Sequence, residues 1–308
     1  MTGALPVRVL APAKVNLGLF LGPTRTQDGR HELVTVMQSI SLADELSLEH
    51  APAGVEHDEV VCPGVPGENL AARALAAFRA ATGWDAPPLR LKIVKRIPVA
   101  AGLGGGSADA AGTLRLARHA SGLGGDDELL RELGAALGAD VPAQIAPGRW
   151  LAGGAGELLE ALPDPNPASF GLLVLPAAGG LSTAAVYTEA DRLGLGRSTE
   201  ALEQRRSALR RALELSAAVP AARDLLENDL APAAISLCPE IAAALSQARE
   251  VGAEIALVSG SGPTVLGLFP HANGLGRAVR AAAGLEDRAP VAICATPVDA
   301  AFARVTSA

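Results

Sequence analysis

The chain has 308 residues, which suits roughly two domains of about 150 residues each. Its 26 basic residues against 33 acidic ones leave a net charge of −7, a balance that supplies no basic face for nucleic acid. Hydrophobic residues at 49% and charged residues at 19% exclude a disordered chain and provide material for buried cores.

In chain order, residues 7–9 and 15–21 alternate as strands. Val15, Leu17, Leu19 and Leu21 fall on one face, and Lys14, Asn16, Gly18 and Phe20 on the other. Lys14 and Asn16 therefore project side by side. A turn-rich segment, 22–31, leads to strands at 33–42 and 45–49. Residues 69–82 read as a helix stopped by Gly83, and 89–94 as a strand ending before Pro98. The glycine run 102–107 then enters a helix over 108–120 that Gly122 ends. A further helix spans 126–137, with Asp126 as N-cap and Gly138 as its stop, and Asp140-Val141-Pro142 follows.

The second half opens with a strand at 172–175 and helices at 183–193, 200–215 and 221–230. Residues 239–251 form the cleanest amphipathic helix: Ile241, Leu245, Ala248 and Val251 line one face, and Gly252 ends it. Strands at 255–258 and 264–269 flank Ser259-Gly260-Ser261-Gly262-Pro263. A helix at 275–283 and a strand at 291–295 close the chain. Strands and helices mixed without strict alternation indicate an α+β architecture of two domains. The glycines at 153, 154 and 156 mark the expected join.

Three cysteines, Cys62, Cys238 and Cys294, lack any CxxC or Cys/His spacing. They read as reduced, mostly buried thiols of a cytoplasmic protein, not as a disulfide framework or zinc site. The N-terminus has no signal-peptide core. The most apolar long window, 251–269, holds Glu254 and four glycines, so no membrane span is expected. Of the basic residues, 23 are arginine and only Lys14, Lys92 and Lys95 are lysine. A lysine kept in such a chain hints at work for a compact ammonium.

The segment PVAAGLGGGSAD, residues 98–109, is the densest glycine cluster. A strand, a glycine loop and a helix N-terminus gather backbone N–H groups and the positive end of a helix dipole around one small volume, which binds phosphate. A Walker A loop is excluded because Ser107 follows Gly106 with no lysine, and a dinucleotide fingerprint fails at the sixth position from Gly102, which is Ser107. The bland alternative is a turn that merely joins strand to helix. The helix opening with Ser107 and Asp109 in its first turn favours the anion site.

Pro98-x3-Gly102-Leu103-x3-Ser107-Ala108 resembles the phosphate loop of the GHMP kinases. Pro12-Ala13-Lys14-Val15-Asn16-Leu17 resembles the N-terminal motif of that family, and Ser259-Gly260-Ser261-Gly262-Pro263-Thr264 its C-terminal glycine motif. Within the family, three segments are similar to the branch that acts on 4-diphosphocytidyl-2-C-methyl-D-erythritol. They are Asp28-Gly29-Arg30-His31-Glu32-Leu33, Gly138-Ala139-Asp140-Val141-Pro142 and Gly154-Ala155-Gly156-Glu157. The resemblance implies a ribosomal-protein-S5-like, ATP-binding N-terminal domain over 1–155 and a ferredoxin-like C-terminal domain over 156–308. It also implies transfer of the ATP γ-phosphoryl group to the 2-hydroxyl of that substrate, in the non-mevalonate isoprenoid pathway.

Roles follow from the same resemblance. Asp140 would accept the hydroxyl proton, and Lys14 would steady the charge developing on the transferred group; the alternative for Asp140 is a simple helix cap. Asn69, Lys95 and the loop (Pro98, Val99, Ala100, Ala101, Gly102, Leu103, Gly104, Gly105, Gly106, Ser107 and Ala108) would hold ATP. Mg²⁺ would bridge the phosphates, with Ser107 as its candidate protein ligand. Asn16 and His31 would hold the cytidine-diphosphate end. Arg30 stands where the family usually has a tyrosine stacked on the base, and a planar guanidinium can also stack there. Tyr187, the sole tyrosine, would supply a second ring, and Ser261 and Gly262 would shape the acceptor pocket. Rival readings are a homoserine or mevalonate type of the same family, or a nucleotide-binding module without catalysis.

Overall fold

The computed structural model describes residues 5–65, 67–123, 127–215 and 219–307. The first half runs β1 (Val7–Thr24), β2 (His31–His50), β3 (Glu59–Val61), α1 (Leu70–Thr82), β4 (Leu89–Val94), α2 (Gly105–Ser121), α3 (Asp127–Leu137), α4 (Val141–Ile145), β5 (Arg149–Gly153) and β6 (Leu158–Leu162). The second runs β7 (Phe170–Leu175), α5 (Thr183–Leu193), α6 (Thr199–Leu215), a 3-10 turn (Val219–Leu225), α7 (Ala231–Leu237), α8 (Glu240–Glu250), β8 (Ile255–Val258), β9 (Val265–Pro270), α9 (Gly274–Ala283), β10 (Ile293–Ala295) and β11 (Thr306–Ser307).

These strands form two sheets, as an α+β chain should. The first has the order β11-β1-β2-β4-β3, with β5 on β2 and β6 on β5; the second has the order β10-β7-β9-β8. β1 and β2 are long antiparallel partners whose middles are buried on both faces. Their register slips between Pro12 and Lys14 and again between Asn16 and Gly18. Such bulges re-aim side chains, and here they bracket Lys14 and Asn16. α2 is built from small residues and lies close on this sheet: a Cβ on Gly112 would come 3.1 Å from Leu46 and 3.4 Å from Ala11. The apolar faces of α1, α2 and the sheet share one core that includes Val9, Leu46, Leu75, Phe78 and Leu114.

Several expectations are revised. The break expected at 43–44 is absent, because β2 continues through Asp44, a fully buried aspartate that accepts hydrogen bonds from the backbone N–H groups of Arg96 (2.6 Å) and Ile97 (2.9 Å). The glycines at 153, 154 and 156, read as the join, form the turn of the β5–β6 hairpin in the first sheet, and the chain crosses to the second sheet between Leu162 and Phe170. The helix expected over 221–230 is replaced by the 3-10 turn and an extended stretch held against β1. There Leu19 N–H donates to Glu227 O (2.8 Å), Asp229 N–H donates to Leu19 O (2.9 Å), and Leu21 N–H donates to the Asp229 carboxylate (3.0 Å). Tertiary pairing overrides helix propensity there. α2 begins earlier than expected, inside the glycine run. The Asp126 cap lies outside the described residues. The three cysteines, expected as mostly buried thiols, are free and half-buried. Among the described residues no helix is long and apolar enough to cross a membrane.

Candidate active site

A cleft of about 830 Å³ opens between the two halves, and Lys14, Asn16, Arg30, His31, Ser107, Asp140, Tyr187 and Ser261 line it together. A second cavity of about 380 Å³ is lined by Asn69, Lys95 and the run from Pro98 to Ser107. Gly102, Gly104 and Ser107 border both. The glycine loop is thus a partition between two chambers.

The loop is shaped by residues with positive φ: Ala100 (60°), Gly102 (73°) and Gly104 (70°). The first N–H to close back on the loop is that of Ala108, which bonds Gly104 O at 2.8 Å. The N–H groups of Gly105, Gly106 and Ser107 precede the helical ladder and are available to an anion. A Cβ on Gly106 would meet open space, whereas one on Gly104 would lie 2.9 Å from both Lys14 Cγ and Gln144 Nε2. One side of the loop is therefore pressed against the protein and the other is open.

Three segments converge on the pressed side. Lys14 N–H donates to Leu103 O (3.0 Å), and Gln144 of α4 donates to Gly104 O (3.2 Å), so β1 and α4 are both tied to the loop. Lys14 Nζ donates to Asn16 Oδ1 at 3.0 Å and stands 3.3 Å from Asp140 Oδ2. Asp140 occupies the N-cap position of α4, yet its side chain makes no capping bond. Its carboxylate faces Lys14 instead, so the capping alternative does not describe it. Asn16 is fully engaged: its amide donates to Thr35 Oγ1 (2.8 Å), and its N–H donates to Ser259 Oγ (3.1 Å). Its visible task is to aim the Lys14 ammonium, while its side chain still borders the cleft.

The C-terminal glycine motif closes the arrangement from behind. Thr264 Oγ1 donates to Ala101 O at 2.6 Å, and Asn228 Nδ2 donates to the carbonyls of Val258 and Gly260, each at 2.7 Å. Ser261 reaches the cleft and pairs with Thr183 Oγ1 at 3.0 Å. Gly262 does not line the cleft; it packs behind Gly102.

On the far wall, the His31 ring lies 5.5 Å from that of Tyr187, tilted by 38°. His31 Nδ1 lies 3.1 Å from Gly22 O, and Nε2 lies 2.9 Å from the Asp191 carboxylate. Arg30 Nη2 donates to Ala155 O at 2.7 Å. Burial, followed by the charge of Asp140, raises the Tyr187 hydroxyl above the ordinary tyrosine range.

In the second chamber Asn69 caps α1, its side chain accepting from Ala71 N–H at 2.9 Å. Lys95 lies just beyond β4 and is shared by two buried carboxylates, Asp44 and, at 2.7 Å, Asp109. Lys92 is paired with Glu49 on the sheet instead. Burial pushes Asp109 up to about 7; the Lys95 ammonium pulls against it, and the neighbouring Asp44 carboxylate adds to it. Burial pulls Lys95 down, but its two carboxylates outweigh it and leave the ammonium raised. Asp109 Oδ1 is buried with no hydrogen-bond partner. Reading the sequence singled out neither Asp44 nor Thr35, Asn228 or Asp191 as functional; each looks like an ordinary polar residue until the fold buries it or turns it towards the cleft.

Two family profiles match the chain, "GHMP kinases N terminal domain" over residues 69–148 and "GHMP kinases C terminal" over 198–285. A 4-diphosphocytidyl-2-C-methyl-D-erythritol kinase of Streptomyces coelicolor is 42% identical, across 84% of this chain and 86% of its own length. The enzyme of that name from Thermobifida fusca is 39% identical, across 93% and 95%. A crystal structure of 4-(cytidine 5'-diphospho)-2C-methyl-D-erythritol kinase superposes with a TM-score of 0.74 at 33% identity, covering 94% of this chain and 98% of the other. A homoserine kinase from Cytophaga hutchinsonii shares the fold, with a TM-score of 0.72 at 16% identity over 98% and 97% of the two chains.

Proposed function

The chain belongs to the GHMP kinase family, and from that premise we propose that it transfers the γ-phosphoryl group of ATP to the 2-hydroxyl of 4-diphosphocytidyl-2-C-methyl-D-erythritol, a step of the non-mevalonate route to isoprenoid precursors. The observation that carries this reading is the Lys14–Asp140 pair, 3.3 Å apart, facing the acceptor cleft beside the partition loop.

Phosphoryl transfer asks for positioning, charge neutralisation and a group to take the hydroxyl proton. ATP fits the second chamber. The loop and the start of α2 offer N–H groups to the phosphates, Lys95 offers an ammonium, and Asn69 borders the far end. The acceptor fits the larger cleft, its base against Arg30, His31 and Tyr187 and its sugar-like end towards Asp140 and Ser261. Asp140 accepts the proton of the attacking hydroxyl. Lys14, aimed by Asn16, presents positive charge where the transferred group accumulates negative charge.

Among the described residues no cluster of three or more acidic, histidine or cysteine side chains could hold a metal. This donor set suits an ion carried chiefly by the nucleotide phosphates, with the Ser107 hydroxyl as the protein ligand we propose. Mg²⁺ there would neutralise phosphate charge during transfer.

ADP release by the full chain with Mg-ATP, offered the diphosphocytidyl acceptor, homoserine and mevalonate side by side, tests the reading. Turnover is expected with the first alone, and turnover with homoserine or mevalonate instead would overturn it.

A further inference from the structure

Resting on that acceptor assignment, we infer that Arg25 is a positioning residue for the acceptor-binding wall: its guanidinium bridges Asp28 and Glu157 and so locks together the two turns that carry Arg30 and Ala155. Neither Arg25 nor Glu157 lines the cleft, so their influence on a ligand passes through what they hold.

The wall is made from two turns distant in sequence. One is the β1–β2 connection, contributing Gly29 and Arg30 to the cleft beside His31 at the start of β2; the other is the β5–β6 turn, contributing Ala155 and Gly156. The strand ladder between β2 and β5 pairs Thr35 with Ala152, and one further bond, Leu33 N–H to Gly154 O at 2.7 Å, extends it. Beyond that point backbone pairing stops. What continues is a side-chain junction. Arg25 Nε donates to Asp28 Oδ1 at 3.2 Å, while its two terminal nitrogens pair with Asp28 and Glu157.

Each carboxylate passes the constraint on. Asp28 Oδ1 accepts from Arg30 N–H at 3.1 Å, and Glu157 Oε2 accepts from Ala155 N–H at 2.8 Å. Arg25 N–H itself donates to Arg30 O at 2.7 Å. Arg30 Nη2 then donates to Ala155 O at 2.7 Å, which closes the circuit and fixes the orientation of the guanidinium beside the cleft. A planar group recognises a base only when its plane is held.

The Arg25 side chain is only 11% exposed, although both of its partners reach solvent. Arg25 holds the Asp28 carboxyl below its ordinary range. For Glu157 burial pushes upward, but the bond to Arg25 and the backbone bonds carry it below its ordinary range as well. Without Arg25, two carboxylates would stand uncompensated at the edge of a cleft that must admit a diphosphate. Loss of Arg25 therefore harms the acceptor in two ways, through a loosened wall and through repulsion. ATP, in the other chamber, is spared both.

The test is steady-state kinetics of the full chain with the diphosphocytidyl acceptor and Mg-ATP, for the parent, Arg25→Ala, Arg25→Lys and Glu157→Gln, with thermal unfolding measured alongside. Arg25→Ala is expected to raise the acceptor KM about tenfold while the ATP KM stays within about twofold. Arg25→Lys is expected to recover part of that loss, since an ammonium restores the charge but not the fork that reaches both carboxylates. Glu157→Gln is expected to raise the acceptor KM by a smaller factor, and it carries the same test if Arg25→Ala does not fold. An unmoved acceptor KM in folded variants, or equal rises in both KM values, would overturn the role of Arg25. A parent chain inactive on the diphosphocytidyl acceptor would overturn the acceptor assignment, and this inference with it.

Discussion

The carbonyl oxygen of Gly262 stands 2.7 Å from the point where a Cβ on Gly102 would lie, so the C-terminal glycine motif is a backing plate for the partition loop. Gly102 also has a φ of +73°, a conformation in which an L side chain costs about 1–2 kcal/mol. Gly102→Ala must therefore distort the loop on two counts. ATP affinity measured by titration calorimetry is expected to fall about tenfold or more, and an unaltered titration would contradict the loop's assignment to phosphate.

Asp140→Asn keeps the size and the polar contacts of the side chain while removing its capacity to take a proton. Its kcat is expected to fall by about 10²-fold or more with ATP affinity nearly constant. Single-turnover kinetics read this directly, and a variant as fast as the parent would remove Asp140 from the chemistry.

Asp109 makes the stability of the fold depend on pH with an unusual sign. Its folded pKa of about 7 lies above the ordinary aspartate value, so between about pH 4 and 7 the native chain keeps a proton that the unfolded chain has lost. Its contribution therefore declines as pH rises through that window and is level above it, with a slope of at most about 1.4 kcal/mol per pH unit. Lys95, also raised, acts with the same sign at higher pH: its contribution is complete below the ordinary lysine value and is lost as pH climbs through the folded one. Urea denaturation of the parent and of Asp109→Asn from pH 4 to 8 is expected to show their stability difference shifting against the parent as pH rises. A difference that is constant across the window would refute the shift.

Arg30 is held by Ala155 O at the cleft wall, in the place proposed for the base. Arg30→Ala is expected to raise the acceptor KM about tenfold, and Arg30→Tyr to return it most of the way, because either plane can stack on a pyrimidine. A tyrosine variant as poor as the alanine one would show that charge, not stacking, is what Arg30 supplies.

The candidate site was legible where local backbone rules place its residues. The glycine run before a helix, and the alternation that sets Lys14 beside Asn16, follow from backbone rules and reappear in the fold. What could not be read was long-range. Asp44 carries no local signal, and Asp109 reads only as an early residue of the helix after the glycine loop, until β2 and α2 bury both around Lys95. Residues 226–230 carry helical propensity, but Asn228 and Asp229 are claimed by the glycine motif and by β1. The glycines at 153, 154 and 156 announce a turn, and only sheet pairing decides that the turn belongs to a hairpin instead of a passage between domains. Arg25 was silent for the same reason: its meaning lies in Glu157, which the sequence places far away.

Phosphorus NMR of a reaction containing Mg-ATP, the diphosphocytidyl acceptor and the full chain tests the central proposal most directly. A new phosphomonoester resonance that grows in step with ADP and shows no three-bond proton coupling, because carbon 2 of the acceptor carries a methyl group and no hydrogen, is the expected result. ADP accompanied only by inorganic phosphate, or a phosphoester on another hydroxyl, would contradict it.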